Sequence, residues 1–447
     1  MPLILGANSV SGYTVKNSLR FNQPSSDNLT RTPSSTTNRR TFTLSFWLKR
    51  ASLASGNKCP FAVGNSSVSI LDADWFVLMI HGSTSTLRLI QYNNTIFATN
   101  RIFRDISAWY HIVVAVDTTQ ATASNRVKLY INGTQETSYS SSADPSLNYD
   151  FKVNTTTQHM IGREDGNGSV YFDGYLSEYN FIDGQQLTPT SFGETDTDTG
   201  IWKPKAYTGT YGTNGFYLKF ANSASLGTDS SGNGNTFTVN NLTSVDQSTD
   251  TPTNNFATFN PLDKNTSITT SEGNLKITGT NDCKTTIGVS KGKWYCETKV
   301  TAVGATVLTG ITFSSVDGSN HSAVDAKRII YQETGYIYRE ATGNGSVNTG
   351  TTYTTSDIIG LALDCDNGTM KFYKNGTLIH TETNSVISGN EQMFYTYLGS
   401  SATVEMNFGN PSYSANSYTD GAGYGNFSYA VPSGYYSLNT KNLATFG

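Results

Sequence analysis

The stretches "VKLYINGT" at 127–134 and "MKFYKNGT" at 370–377 share Lys, Tyr, Asn, Gly and Thr at the same places. Each follows an apolar run that ends in Asp, "HIVVAVD" to Asp117 and "IIGLALD" to Asp364. In the first copy Val127, Leu129 and Ile131 alternate with Lys128 and Tyr130, the period of a strand with one buried face. Asn132-Gly133 and Asn375-Gly376 then supply two residues that tolerate positive φ, as a type I′ hairpin turn requires. The spacing from Asp to hairpin differs, "TTQATASNR" in one copy and "CDNGT" in the other, so the echo reads as shared hairpin grammar and not as a repeated domain.

The same alternation runs through the chain. "TFTLSFWLK" (41–49) puts Phe42, Leu44, Phe46 and Leu48 on one face and Thr41, Thr43, Ser45 and Trp47 on the other. Aromatic residues make up 12% of the 447 residues, Gly, Asn, Ser and Thr abound, and no amphipathic helix is evident. The expectation is an all-β protein of two antiparallel β-sandwich domains of jelly-roll type in tandem. The polar, turn-rich stretch 243–256 reads as a linker. It separates a sandwich at 14–242, with a C-terminal extension, from a second at 257–447, and residues 1–13 read as an N-terminal arm.

With 14% charged residues, a net charge of −4 and scattered Lys and Arg, nothing favours a nucleic-acid partner. No run approaches the roughly 18 apolar residues that span a membrane, so no membrane insertion is expected. "MPLILGANSVSG" lacks the basic start of a signal peptide. No CxxC pair is present among Cys59, Cys283, Cys296 and Cys365. They read as buried thiols, with a Cys283–Cys296 bridge across neighbouring strands left open.

Two family resemblances follow from particular motifs. "GKWYCETKV" (292–300), "DIIGLALDCDNGTMKFYKNGTLI" (357–379) and "VEMNFGNPSY" (404–413) resemble a SPRY domain in order and spacing. Cys296 departs from the second aromatic usual there, which costs core volume and hints at a looser or differently filled site. "SLRFN" (18–22), "FTLSFWLK" (42–49), "AWYHIVVAVD" (108–117), "VKLYINGT" and "YFDGYLSEYNFIDGQQLTP" (171–189) resemble a concanavalin A-like domain of the laminin-G type. The whole arrangement, with "LGTDSSGNGNTFTVNNL" (226–242), "TDTPTNNFATFNPL" (249–262) and "VPSGYYSLNTKNL" (431–443), resembles virion structural proteins of tailed, often marine, phages. That resemblance implies a tail-fibre-like or host-recognition protein, made in the host cytoplasm and carried on the virion. Its implied partners are other virion proteins and a host cell-surface glycan, and its implied state is a homo-oligomer, a trimer above others. The alternatives are a capsid-decoration or tail cement protein and a polysaccharide-degrading enzyme.

Catalytic candidates are poor, and no enzyme is expected. Asp364 and Asp366 are spaced i, i+2, but Asp366 opens an Asp-Asn-Gly turn. Glu178 and Asp183 lie an odd distance apart. Asp72 and Asp74 share a face beside Trp75, in a stretch that reads as a loop. The five histidines form no HExxH, and there is no GxSxG or phosphate loop. For Ca²⁺, "GREDGNGS" (162–169) offers Glu164, Asp165 and Asn167, and "TDSSGNGN" (228–235) offers Asp229, Asn233 and Asn235. Either loop could wrap the ion, each reads equally as a turn, and no cofactor or metal ligand set is assigned.

A sugar site needs aromatic faces with planar hydrogen-bonding groups beside them. "IIYQETGYIYRE" (329–340) supplies Tyr331, Gln332, Tyr336, Tyr338 and Arg339, and Trp75 is a further aromatic candidate. The same tyrosines could instead pave a sheet or a subunit interface. "NSYTDGAGYGNFSY" (416–429) is either a packed Ω-loop or a covered surface. The apolar start, with Leu3, Ile4 and Leu5, is the expected virion-attachment segment.

Overall fold

The computed structural model describes residues 12–64, 75–91, 94–166, 170–317 and 327–447. The chain divides into two compact units, one ending at Thr253 and one beginning at Asn254. Both are β-sandwiches, and among the described residues the strand pairs are antiparallel apart from one short contact between Lys293–Ala302 and Tyr436–Ser437. Among the described residues the α-helices are Ser385–Ser388 and Thr440–Phe446.

In the first unit, one sheet carries Val127–Ile131, Trp109–Asp117, Thr41–Arg50, Gly174–Asp183 and Ser18–Phe21 side by side. The other carries Thr86–Gln91, Phe76–Ile80, Lys58–Val63, His159–Ile161 and Asn28–Arg31. Phe42, Leu44, Phe46 and Leu48 meet Phe61, Phe76, Leu78 and Leu89 between the sheets, which is the core the alternation predicts. The opposite face of Thr41–Arg50 is buried too. Thr43 Oγ1 donates to Gln185 O (2.7 Å) and accepts from Leu187 N (2.9 Å), so the chain after Asp183 lies across this face. Trp47 stacks on His111 with centroids 4.8 Å apart, and Trp202 Nε1 donates to Nδ1 at the edge of the same ring at 2.9 Å.

The stretch read as a linker is folded up to Thr253, and the division between the two units falls within it. Thr243 and Asp246 form a capping box, Gln247–Ser248 pairs with Ser18–Leu19, and Asp246 meets Arg20 at 3.1 Å. Asp250 is fully buried, 2.7 Å from Lys49 Nζ and 3.1 Å from Trp109 Nε1. The segment is polar because it neutralises basic residues on a covered sheet face, and not because it is solvated. After Asn254, Asn255 N and Phe256 join the second unit at Thr440 and Asn439.

The second unit is organised by the 16-residue strand Gln392–Asn407. Its first half pairs with Val307–Phe313 and its second half with Lys293–Ala302, while Lys276–Thr285 runs along both. Lys293–Ala302 continues through Ile358–Asp364 and Thr369–Lys374 to the edge strand Thr377–Thr383. Trp294, Leu361, Phe372, Phe394 and Phe408 meet in its core. Cys296 is fully buried there opposite Leu361. Cys283 pairs with Thr396, far along Gln392–Asn407 from the end where Lys293–Ala302 docks. All four thiols are free and buried, so the register removes the Cys283–Cys296 bridge.

Both Asn-Gly turns have the predicted left-handed pairs, φ 49° and 81° at Asn132-Gly133 and 48° and 80° at Asn375-Gly376. Each asparagine also ties the neighbouring strand. His111 N donates to Asn132 Oδ1 (2.7 Å), and Ile358 N donates to Asn375 Oδ1 (2.9 Å).

Candidate functional site

Four neighbouring strands of the second domain bring the tyrosine-rich stretch onto one sheet face. Tyr338 lies opposite Ile330, Gln332 opposite Leu308, and Leu308 opposite Tyr397. Residues directly opposite share a face, and so do residues two apart. Tyr336, Tyr338, Gln332, Leu308 and Tyr397 therefore form one row across the sheet. Tyr336 is 38% exposed, and Tyr338 and Tyr397 are half-buried against the small apolar cluster of Leu308, Val316, Ile330 and Tyr395. The Tyr336 and Tyr338 rings are 6.4 Å apart and tilted by 32°.

Gln332 is held at the centre of this row. Its Oε1 accepts from Tyr338 OH (3.1 Å) and Thr334 Oγ1 (2.8 Å), and its Nε2 donates to Thr306 Oγ1 (3.2 Å). A primary amide has two N–H donors, and one of Gln332's has no partner among the described residues. A fixed amide between aromatic faces is suited to a ligand with one apolar face and hydroxyls at its rim. Tyr397 belongs to this row although it is 59 positions from Tyr338. The alternation in "MFYTYLG" offered a period-2 signal, but only strand pairing gives the neighbour.

The other candidates lie elsewhere. Tyr331 projects to the core side and is 0% exposed. Its hydroxyl donates to Thr351 O at 2.6 Å, and its ring meets Tyr353 and Phe372. It cannot present a face to a ligand, because in this strand odd and even positions separate core from surface. Arg339 does not join the tyrosine row. Its Nη1 lies 3.5 Å from Glu382 and its Nη2 donates to Asn344 O at 2.7 Å. Trp75 is 0% exposed in the first domain, packed with Cys59, Val77, Met79 and Met160. A Cβ on Gly64 would stand 2.1 Å from its indole, so that glycine makes its seat. Asp72, Asp74, Asn167, Leu3, Ile4 and Leu5 lie outside the described residues.

The segment 416–429 is a largely exposed loop tied down by two buried carboxylates. Asp420 accepts from Ala422 N, Tyr424 N, Ser437 N and Asn442 Nδ2. Glu297 accepts from Ser428 N and Tyr429 N (each 2.9 Å) and Asn407 Nδ2 (3.1 Å). Burial raises the Glu297 pKa, opposed by those donors.

The remaining acidic candidates are engaged separately. Asp364 accepts from Asn367 N and Nδ2 and meets Lys293, whereas Asp366 accepts from Gly292 N. Asp183 takes bonds from Asn154 and Asn214. Glu178 sits in a bulge between Ser177 and Asn180 with other partners. Asp165 pairs with Arg163, and Glu164 accepts from Gly166 N. Asp229 accepts from Tyr217 N, Ser231 N and Asn235 N, and Asn233 and Asn235 donate to the backbone at 212–215. Among the described residues no group of three His, Cys, Asp or Glu gathers around a point suited to a metal.

Residues 24–191 match the laminin-G-type model of the concanavalin A-like lectin/glucanases superfamily, and residues 293–411 match the SPRY domain. The chain therefore carries these two domains in tandem. Similar solved structures include the SPRY domain of human HERC1, 20% identical over 33% of this chain and 96% of that one, with a TM-score of 0.28. Stonustoxin is 17% identical over 34% of this chain and 27% of its own, with a TM-score of 0.28. The PSpry domain of TRIM65 is 12% identical over 34% of this chain and 89% of its own, with a TM-score of 0.29.

Proposed function

We propose that this protein is a non-enzymatic recognition module of a phage virion, of tail-fibre type, whose second domain binds a host-surface glycan. The observation that carries the glycan reading is the row of Tyr336, Tyr338 and Tyr397 with Gln332 fixed among them. Tyrosine faces take the C–H face of a pyranose, and the free amide N–H of Gln332 takes a ring hydroxyl. A single such site is weak by itself, and many copies on one particle raise its avidity. The tandem order of a laminin-G-type and a SPRY-like half supports the virion assignment by resemblance, and an oligomer, trimeric above others, fits the same reading.

The test is competition. Purified protein at saturating concentration should block particle adsorption to host cells, and Tyr336→Ala with Tyr338→Ala should abolish the block while the domain stays folded. Absence of competition by the parent protein would remove the recognition role. Undiminished competition by the double variant would remove this site.

A further inference from the structure

We propose that Asn344-Gly345 is a self-modification site, where spontaneous deamidation loosens the tyrosine hairpin of the second domain as the protein ages. Asn344 lies in the connection between Tyr336–Tyr338 and Ser346–Asn348, and these strands pair as Tyr336 with Asn348 and Tyr338 with Ser346. Gly343, Asn344, Gly345 and Ser346 are all exposed. Glycine has no side chain to shield its backbone nitrogen, so in an Asn-Gly pair that nitrogen reaches the asparagine carboxamide. The Gly345 nitrogen gives up its proton and attacks Asn344 Cγ. The Cγ–Nδ2 bond breaks, the proton leaves with the departing nitrogen as ammonia, and a succinimide ring closes. Water then opens the ring at either carbonyl, leaving an aspartyl or an isoaspartyl residue at position 344.

Six Asn-Gly pairs lie among the described residues, and the structure ranks them. Ring closure requires the carboxamide to leave its partners and swing onto the next nitrogen. Asn214 is 3% exposed and donates to Ser35 O and Thr37 Oγ1, each at 2.9 Å. Asn233 Nδ2 donates to Gly212 O at 2.6 Å and Gly215 O at 2.8 Å. Asn367 Nδ2 donates to Asp364 Oδ2 at 2.9 Å. Asn375 is held at both ends of its amide, accepting from Ile358 N and donating to Asp357 Oδ1 at 2.6 Å. Asn132 accepts from His111 N at 2.7 Å, and Trp202 covers the glycine that follows it. At Asn344 the side chain makes one long bond among the described residues, Nδ2 to Glu382 Oε1 at 3.3 Å. Arg339 holds the carbonyls of Asn344 and Gly345, but the Gly345 nitrogen has no partner among the described residues. Gly343 and Gly345, at φ 71° and 67°, have nothing beyond their chain neighbours within 4 Å of a Cβ position. No side-chain packing on either side resists the swing.

Either product replaces the donor to Glu382 by a carboxylate. Glu382 is 5% exposed, with Arg339 Nη1 at 3.5 Å and His380 Nε2 at 3.4 Å, and a second negative charge beside it is repelled. The isoaspartyl form also adds a methylene to the main chain between Tyr338 and Ser346, which are paired. Tyr336 and Tyr338 then lose their alignment with Gln332. The loss of binding that follows rests on the glycan reading above, whereas the modification itself does not.

Stored at mildly alkaline pH and then digested, the full chain should gain one mass unit at position 344 before any gain at 132, 214, 233, 367 or 375. Hydrogen exchange at 336–348 should quicken in step with that gain, and fresh Asn344→Asp should show the same quickening at once. In Asn344→Gln the longer side chain closes the ring far more slowly. Stored Asn344→Gln should keep slow exchange and still block particle adsorption, while the stored parent loses its block. No gain at 344, an earlier gain at another of these pairs, or unchanged exchange in the modified parent would overturn the site. Fresh parent protein that fails to block adsorption removes the glycan reading instead, and mass and exchange still decide the modification.

Discussion

The indole of Trp202 lies across Gly133, where an added Cβ would stand 2.5 Å from the ring. The second hairpin repeats the relationship, with Tyr429 2.7 Å from a Cβ on Gly376. In both domains the Asn-Gly turn is thus a floor for an aromatic residue that arrives much later in the chain. The glycine is needed for its φ and for its missing side chain.

The two needs can be separated by substitution. Gly184 has φ 89° with nothing near its Cβ position, whereas Gly133 has φ 81° and the indole. Gly184→Ala should cost about 1 kcal/mol, the left-handed penalty alone. Gly133→Ala adds overpacking and should cost about 2–4 kcal/mol in urea denaturation of the first domain. Equal costs would show that Trp202 gives way freely.

Tyr331 and Tyr336 lie five residues apart in sequence and should respond in opposite ways. Tyr331→Ala empties a core position and should cost about 3–5 kcal/mol. Tyr336→Ala should change stability by less than about 0.5 kcal/mol and act on ligand binding only. Paired denaturation and adsorption assays read both.

Glu297 holds the loop 416–429 through backbone bonds. Glu297→Ala leaves Ser428 N and Tyr429 N without their acceptor. The expected cost is about 2–4 kcal/mol, with faster amide exchange at 426–429 and unchanged exchange in the first domain. Uniform acceleration across both domains would refute the local role.

His111 sets an acid limit for the first domain. Trp202 Nε1 can only donate, so His111 Nδ1 accepts at 2.9 Å and Nε2 carries the proton toward Ser45 Oγ, also at 2.9 Å. Burial pushes the His111 pKa down to about 3. The unfolded chain then binds a proton below about 6.5 that the folded domain refuses. This group's contribution is complete above that value and is lost as pH falls toward 3, at about 1.4 kcal/mol per pH unit. Buried His159, pushed down to about 4, acts in the same direction. Denaturation between pH 7 and 4.5 should show a steeper loss for the parent protein than for His111→Gln. Parallel curves would place the acid sensitivity elsewhere.

Local sequence determined the strands and turns. Period-2 runs such as "TFTLSFWLK" specify a pleated face, Asn-Gly specifies a left-handed pair, and both are satisfied by residues within a few positions of each other. Motif order was enough for two sandwiches and for their two family likenesses. Which tyrosine faces out was half legible. Tyr336 and Tyr338 share a face by alternation, but the burial of Tyr331 depends on which face the second sheet covers.

Contacts between distant segments were decided only by the tertiary structure. The polar stretch 243–253 looked solvated because its counter-charges, Arg20 and Lys49, are about 200 positions away. Tyr397 joined Gln332 through strand order, and the Glu178 carboxylate met the Tyr13 and Tyr217 hydroxyls across 165 and 39 positions of chain. Hydrogen bonds and ion pairs act over a few ångströms of space, and a sequence states that distance only where the chain is locally regular.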